Sequence, residues 1–214
     1  MKEKIVIATT NKNKVDRIKK ILRSTNFDVV SISDMVADSI KEPEENANNG
    51  IDNAIEKAMY YVNYLPENTI VLAQDDTIEL VGVDEEDEPQ GHIKRPVINK
   101  YGEFTDELAA QYYSDLASKY GGTIPMVFKY GHAVVTVIND DRMRKKILSA
   151  ESKLEVRLVN KIYKLDKCPG YFLAALMEAK INNEWTPYND LDEEQLIKLD
   201  IDLQNSIISL LKEI

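Results

Sequence analysis

The stretch Leu72-Ala73-Gln74-Asp75-Asp76-Thr77 sets two adjacent carboxylates at the end of an apolar run. Acids leaving a buried strand are costly unless they are exposed in a cleft or paired with a metal. The pair therefore reads either as a cation-binding, acid–base site or as an ordinary hairpin turn. Glu79 follows in the next strand-like run, where alternation can return it to the face of Asp75. A second group is acidic: Glu42, Glu44 and Glu45 precede a helical stretch carrying Asn53 and Lys57. Hard cations take carboxylate oxygens, and magnesium uses one or two carboxylates together with substrate phosphates. Taken alone, such a loop is solvated surface. The third group is the opening turn, Ala8-Thr9-Thr10-Asn11-Lys12-Asn13-Lys14. A helix N-terminus presents unpaired N–H groups and the positive end of the helix dipole, which suits phosphate. Thr9 and Asn11 add side-chain donors and Lys14 a charge. With no glycine in it, the turn taken alone is basic surface.

The elements that must position these groups follow from periodicity. Residues 4–9 read as a buried strand, and Val15, Ile18, Ile21 and Leu22 recur at helical spacing up to about Thr25. Phe27 to Ile32 is a second strand, and a strand-helix-strand start points to an α/β fold. A helix begins at Asn48 or Asn49 with Asp52 as capping partner. Its apolar face, Ile51, Ile55, Ala58 and Val62, would leave Asn53 and Lys57 together on the other side. Strands over Thr69–Ala73 and Ile78–Val83 flank the acidic pair, and residues 84–103 read as a long polar insertion. Thr105 caps a helix to about Tyr120, with Leu108, Tyr112 and Leu116 on one face and Gly121-Gly122 as its stop. Residues 126–138 form a long strand ending in the turn signal Asn139-Asp140-Asp141. Leu154, Val156 and Leu158 alternate with charge as in a half-exposed strand. Tyr171 to Ile181 fits strand or helix, and the tail from Asp190 reads as one or two helices ending in Leu203, Ile207, Leu210 and Leu211.

Composition narrows the function classes. At 214 residues the chain is one domain, or one domain in two lobes, with a sizeable core. The formal charge of -10 argues against general nucleic-acid binding. It leaves room for a nucleotide, because a local basic pocket or a bound divalent cation draws polyphosphate into an acidic protein. A single cysteine, Cys168, permits no intrachain disulfide, and with two histidines it makes a zinc site improbable. Neither Cys168 nor His132 has a motif for nucleophilic catalysis, so a core cysteine and a strand-face histidine are expected. The opening apolar run is too short for a secretory signal and no stretch approaches a membrane span, so a cytoplasmic protein without a membrane partner is expected.

In order and spacing, the three groups resemble the inosine-triphosphate pyrophosphatase family, which hydrolyses non-standard purine nucleoside triphosphates. That family opens with a strand and an Ala-Thr-Gly-Asn-x-x-Lys turn, which Ala8-Thr9-Thr10-Asn11-Lys12-Asn13-Lys14 matches with Thr10 in place of glycine. Its next motif is a glutamate followed by Glu-Asn-Ala-x-x-Lys-Ala on a helix. Glu45 and Asp52-Asn53-Ala54-Ile55-Glu56-Lys57-Ala58 stand there. Its Ala-Asp-Asp-Ser-Gly-Leu-Glu-Val motif aligns with Ala73-Gln74-Asp75-Asp76-Thr77-Ile78-Glu79-Leu80, so Gln74 replaces the first aspartate. A looser Pro-Gly-Val-Tyr-Ser-Ala-Arg segment resembles Pro89-Gln90-Gly91-His92-Ile93-Lys94-Arg95. The second half departs. Pro169-Gly170-Tyr171-Phe172-Leu173 keeps part of a base-enclosing Phe-Gly-Tyr/Trp-Asp-Pro element, and the C-terminal Ser-His-Arg that reads the purine is absent.

The resemblance implies an α/β fold over residues 1–214: an elongated mixed central sheet with flanking helices, in two lobes around an active-site cleft. It implies a homodimer that converts a nucleoside triphosphate and water to a nucleoside monophosphate and pyrophosphate with Mg2+. Glu45 and Asp75 would hold the metal, and Asp75 or Asp76 would orient the attacking water. Thr9, Thr10, Asn11, Lys14 and Lys57 would surround the phosphates, and Tyr171 and Phe172 would contact the base. Two rivals are a catalytically silent nucleotide-binding or regulatory protein on the same fold, and a pyrophosphatase for a modified nucleotide outside the purine set.

Overall fold

The computed structural model describes residues 3–37, 40–44, 47, 49–137 and 145–214. Glu45, Asn48 and the turn expected at Asn139-Asp140-Asp141 lie outside the described residues. The elements are β1 (Glu3–Ile7), α1 (Lys12–Ile21), β2 (Phe27–Ser31), α2 (Gly50–Tyr61), β3 (Ile70–Leu80), α3 (Arg95–Tyr101), α4 (Asp106–Lys119), β4 (Thr123–Val137), β5 (Lys145–Val159), β6 (Met177–Ile181), β7 (Glu184–Pro187), α5 (Glu193–Leu199) and α6 (Ile201–Lys212). Among the described residues the strands form one seven-stranded sheet in the order β2-β1-β3-β4-β5-β6-β7. β1 is parallel to β2 and β3, whereas β6 is antiparallel to β5 and β7, so the sheet is mixed.

The chain divides into two compact units. The first holds Met1–Asp76, Tyr130–Ser152 and Asp200–Ile214, the second Thr77–Lys129 and Lys153–Leu199. In the first unit, β1 lies between β2 and β3. The chain therefore steps one way through α1 and the opposite way through α2. Right-handed crossovers in opposite directions place the two helices on opposite faces of the sheet. Side-chain alternation agrees. Val71 and Ala73 pack with Ala54, Ala58 and Tyr61 of α2 and with Ala133 and Val135 of β4. Asp76 and Tyr130 meet Lys14 and Arg17 of α1 instead.

Two glycines let α2 sit directly on backbone. A Cβ on Gly131 would lie 2.2 Å from the carbonyl carbon of Gly50, and one on Gly50 would lie 2.9 Å from the carbonyl oxygen of Asp75. Asn49 caps the helix through Asp52 N–H at 2.9 Å, and Asn49 Nδ2 donates to the Asp52 carboxylate at 2.7 Å. At the far end of the unit, α6 buries Leu203, Ile207, Leu210 and Leu211, as the spacing of the tail requires. Gln204 Nε2 donates to Ile21 O at 3.1 Å, which ties α6 to the end of α1.

The second unit is built around α4. Thr105 Oγ1 accepts from Leu108 N–H at 3.2 Å, and Gly121 and Gly122 end the helix at φ +83 and +97. Tyr113 stacks on Phe172 at 5.6 Å and donates its hydroxyl to Ile93 O at 2.9 Å.

Five expectations change. The acidic pair is not a turn between two strands, because β3 runs unbroken through Gln74-Asp75-Asp76. Asn53 and Lys57 lie on the buried face of α2 with Ala54 and Ala58, while Ile51 and Ile55 are only half-buried. Residues 84–103 hold a short 3-10 turn, Glu85–Asp87, and helix α3, which Gly102 ends at φ +83. The buried face of α4 centres on Ala109, Tyr113 and Ala117, with Leu108 and Tyr112 at its margin. The stretch that fitted strand or helix splits into a 3-10 turn, Phe172–Ala175, and β6.

Candidate active site

The site is built at the C-terminal end of β1. Ala8 N–H still donates to Leu72 O at 2.9 Å, and Thr9 N–H then turns back to Ile7 O at 2.9 Å. The chain leaves the sheet there, while β3 continues beside it through the acids. Open α/β sheets bind ligands at such a reversal of strand order. Asn11 caps α1 by accepting from Asn13 N–H at 2.9 Å, and Asn11 N–H donates to Thr9 Oγ1 at 3.2 Å. Both side chains accept in these bonds. The donors a phosphate needs, the Thr9 O–H and the Asn11 Nδ2–H, are not consumed by them.

Alternation along β3 sends the two acids to opposite faces. Asp75 turns to α2, where Asn53 Nδ2 donates to its Oδ2 at 2.9 Å. Asn53 is fixed in turn by Ala47 N–H, which donates to its Oδ1 at 2.9 Å. Lys57 lies one helical turn further along α2; it is buried, and its ammonium faces Glu42 at 3.9 Å. The other Glu42 oxygen accepts from Thr10 Oγ1 at 3.3 Å, so Glu42 links the opening turn to α2.

Asp76 turns to α1. Lys14 Nζ lies 3.2 Å from its Oδ2, and Gln74 Nε2 donates to its Oδ1 at 2.5 Å. Burial pushes the Asp76 carboxyl up, but Lys14, the Gln74 amide and Arg17 outweigh burial and hold it below its ordinary range. Arg17 stands one turn beyond Lys14. Its guanidinium lies 4.4 Å over the Tyr130 ring, and both ends of its fork bind the Asp200 carboxylate, Nε at 2.8 Å. His132 is fully buried and shares a 2.9 Å hydrogen bond between Nε2 and Ser152 Oγ. Burial pushes it down to about 4 against the raising influence of Asp76, so it is neutral near pH 7.

Thus the structure brings Thr9, Thr10, Asn11, Lys14, Lys57, Asp75 and Asp76 into the first unit, around the β1–α1 turn and β3. Glu45 lies outside the described residues. Tyr171 and Phe172 belong to the second unit. Phe172 is buried between Tyr113 and Phe104, and Tyr171 sets its edge against Phe128 and Tyr188. Glu79 belongs to the second unit, where it is exposed and pairs with Lys129 at 2.6 Å. Sequence reasoning missed Arg17 and the place of His132 beside Asp76. Arg17 had a visible signal, three residues after Lys14 on one helix face. His132 had none beyond a polar residue in an apolar strand.

Among the described residues no three His, Cys, Asp or Glu side chains gather into a ready metal cage. Among the described residues the carboxylates on the α2 side are those of Asp75, held by Asn53, and of Glu42, 3.9 Å from Lys57. That set fits a hard cation that takes one or two carboxylates and completes its shell with water and phosphate, as magnesium does.

The mixed sheet with a turn at its switch point and acids one strand away is that of an α/β protein, and this end of β1 is the candidate site. The same fold occurs in a HAM1 protein from Coxiella burnetii, with a TM-score of 0.71 and 15% identity over 99% of this chain and 100% of that one. It also occurs in a nucleoside-triphosphatase, or dITP/XTP pyrophosphatase, from Mycobacterium abscessus, with a TM-score of 0.64 and 16% identity over 97% and 98% of the two chains. The Ham1 family model matches residues 5–106, the span that carries the turn, α2 and β3, and over that span the chain is similar to the Ham1 family. The dITP/XTP pyrophosphatase of Malacoplasma penetrans is 28% identical over 136 residues, 61% of this chain and 66% of that protein. That of Desulforamulus reducens is 36% identical over 77 residues, 36% of each chain. The chain thus spans 66% and 36% of these two relatives' lengths. Among the described residues no helix is long and apolar enough to cross a membrane.

Proposed function

We propose that the protein is a pyrophosphatase for non-standard nucleoside triphosphates, converting NTP and water to NMP and pyrophosphate with Mg2+. The observation that carries this reading is the convergence of the α1 N-terminus, Lys14 and the two β3 carboxylates on one end of β1. The relatives named dITP/XTP pyrophosphatases supply the substrate class.

Magnesium, when bound, neutralises phosphate charge and polarises the phosphorus centre. Asp75, with Glu45 from the acidic loop, would hold it. Asn53 keeps the Asp75 carboxylate aimed by donating to Oδ2 at 2.9 Å, so its other oxygen is directed without rotation. Thr9, Thr10, Asn11 and the first N–H groups of α1 bind phosphate oxygens, and Lys14 and Lys57 add positive charge where it grows in the transition state. A carboxylate of the pair orients the water that attacks phosphorus and takes its proton as the bond to pyrophosphate breaks. The base-reading element, with Tyr171 as its candidate, belongs to the second unit.

The test is pyrophosphate release with Mg2+ over dITP, ITP, XTP and the standard triphosphates. Turnover of the deaminated purines at least about tenfold above the standard ones supports the reading. Binding without turnover of any of them selects the silent nucleotide-binding protein. Turnover confined to a modified pyrimidine selects the third reading.

A further inference from the structure

Glu42 makes the contacts that the proposed reading gives to phosphate. One of its carboxylate oxygens accepts from Thr10 Oγ1 at 3.3 Å, and the other faces Lys57 Nζ at 3.9 Å. Thr10 belongs to the turn between β1 and α1, and Lys57 to α2, so one carboxylate spans the turn and the helix. Hydroxyl and ammonium donors are served alike by carboxylate and phosphate oxygens. The two ends of the ion pair differ in freedom. The Lys57 side chain is 4% exposed and that of Glu42 41%. An ammonium so far from water is costly without an anion beside it, whereas a carboxylate at the surface can turn outward and be hydrated. Lys57 therefore stays where α2 places it, and Glu42 is the partner that can leave. An ion pair of this length with one exposed partner is weak, and a polyphosphate with several charged oxygens outcompetes it.

We propose that Glu42 is a built-in stand-in for phosphate: it partners Thr10 and Lys57 in the ligand-free protein and is displaced by an oxygen of the triphosphate. Lys57 can keep other partners throughout; only its contact with Glu42 has to exchange. Glu42 thus keeps an anion beside a buried ammonium when no ligand is bound, and it weakens phosphate binding by the strength of its own two contacts. Run in reverse, the exchange helps the product phosphate leave. This inference rests on the reading of the chain as a triphosphate-binding protein, and deepens it by naming a residue that opposes binding.

The test is titration of the full chain with inorganic tripolyphosphate in the absence of divalent cations, together with urea unfolding with and without that probe. Glu42→Gln removes the charge. Glu42→Asp keeps the charge and shortens the side chain by one methylene, so that it no longer spans both partners. Both variants should bind tripolyphosphate at least about threefold tighter than wild type. Both should unfold more easily than wild type without the probe and equally with it at saturation, because Glu42 is already displaced in the bound state. Unchanged or weaker binding in either variant overturns the proposal. Tightening in Glu42→Gln alone reports only the lost charge and overturns it as well. A loss of Mn2+ binding of about tenfold in Glu42→Gln makes Glu42 a cation ligand and also overturns it. So does the absence of measurable tripolyphosphate binding by all three proteins. Failure here is separable from failure of the enzymatic reading. Tighter binding in both variants without turnover of any triphosphate sinks the enzyme and keeps the inference, whereas turnover with unchanged tripolyphosphate binding does the reverse.

Discussion

Gly131→Ala is a small change whose effect can be worked from geometry. The added methyl would meet Gly50 C at 2.2 Å, Gly50 O at 2.4 Å and Ile51 N at 2.4 Å. All three are backbone atoms, so no side chain can swing away. Reaching an ordinary contact of 3.4 Å requires α2 and β4 to part by about 1 Å. Overpacking of this size costs about 1–3 kcal/mol. The same shift carries Asn53 away from Asp75, stretching a 2.9 Å bond past hydrogen-bonding range. A misplacement of about 1 Å at a reacting centre costs on the order of 100-fold in rate. Urea unfolding should therefore show a loss of about 1–3 kcal/mol. Pyrophosphate release by the folded fraction should fall on the order of 100-fold. If Gly131→Ala unfolds within about 0.5 kcal/mol of wild type and keeps full turnover, the close seating of α2 on β4 is wrong.

His132 predicts a pH dependence of stability. Its folded value near 4 lies below its ordinary 6.5, so the unfolded chain binds the extra proton between those limits and stability rises with pH there. The full difference is about 3 kcal/mol, of which about 2 kcal/mol separates pH 5 from pH 7. His132→Gln should flatten that part of the unfolding curve, and an unchanged slope would contradict it. Asp76 works in a lower window: its depressed carboxyl stabilises the fold above the ordinary carboxylate range, and that stability is lost as pH falls through its folded value. Lys14→Met should raise the Michaelis constant for the triphosphate and lower turnover together, read by initial rates, because the ammonium serves both bound and reacting phosphate. Asp200→Asn should destabilise the fold by about 1–3 kcal/mol in urea unfolding, because it leaves the half-buried Arg17 without its fork partner.

Much of the first unit was legible in the sequence. The strand–turn–helix start, the Asn49 cap and the four apolar residues of α6 all follow from spacing and capping chemistry. What misled was the treatment of polar residues as markers of surface. Asn53 and Lys57 sit on the buried face of α2 because Asp75 and Glu42 meet them there, and the small Ala54 and Ala58 let the helix come close. Gln74-Asp75-Asp76 reads as a turn by local preference, yet each acid has a partner from a different helix, and the strand continues. Partners from distant helices leave no trace in a local window. The separation of Asp75 from Asp76 onto opposite faces did follow from strand alternation, once the stretch is known to be strand. The pairing of Arg17 with Asp200 joins residues 183 positions apart and could only come from the fold.

The central claim is that the end of β1, with Lys14 and Asp75, hydrolyses a triphosphate between its α- and β-phosphates. Its most direct test is product analysis of dITP with Mg2+, comparing wild type with Asp75→Asn. The predicted result is dIMP and pyrophosphate in equal amounts from wild type, and turnover lower by about 100-fold or more in a folded Asp75→Asn. Release of orthophosphate instead of pyrophosphate, or equal turnover in the two proteins, would contradict it.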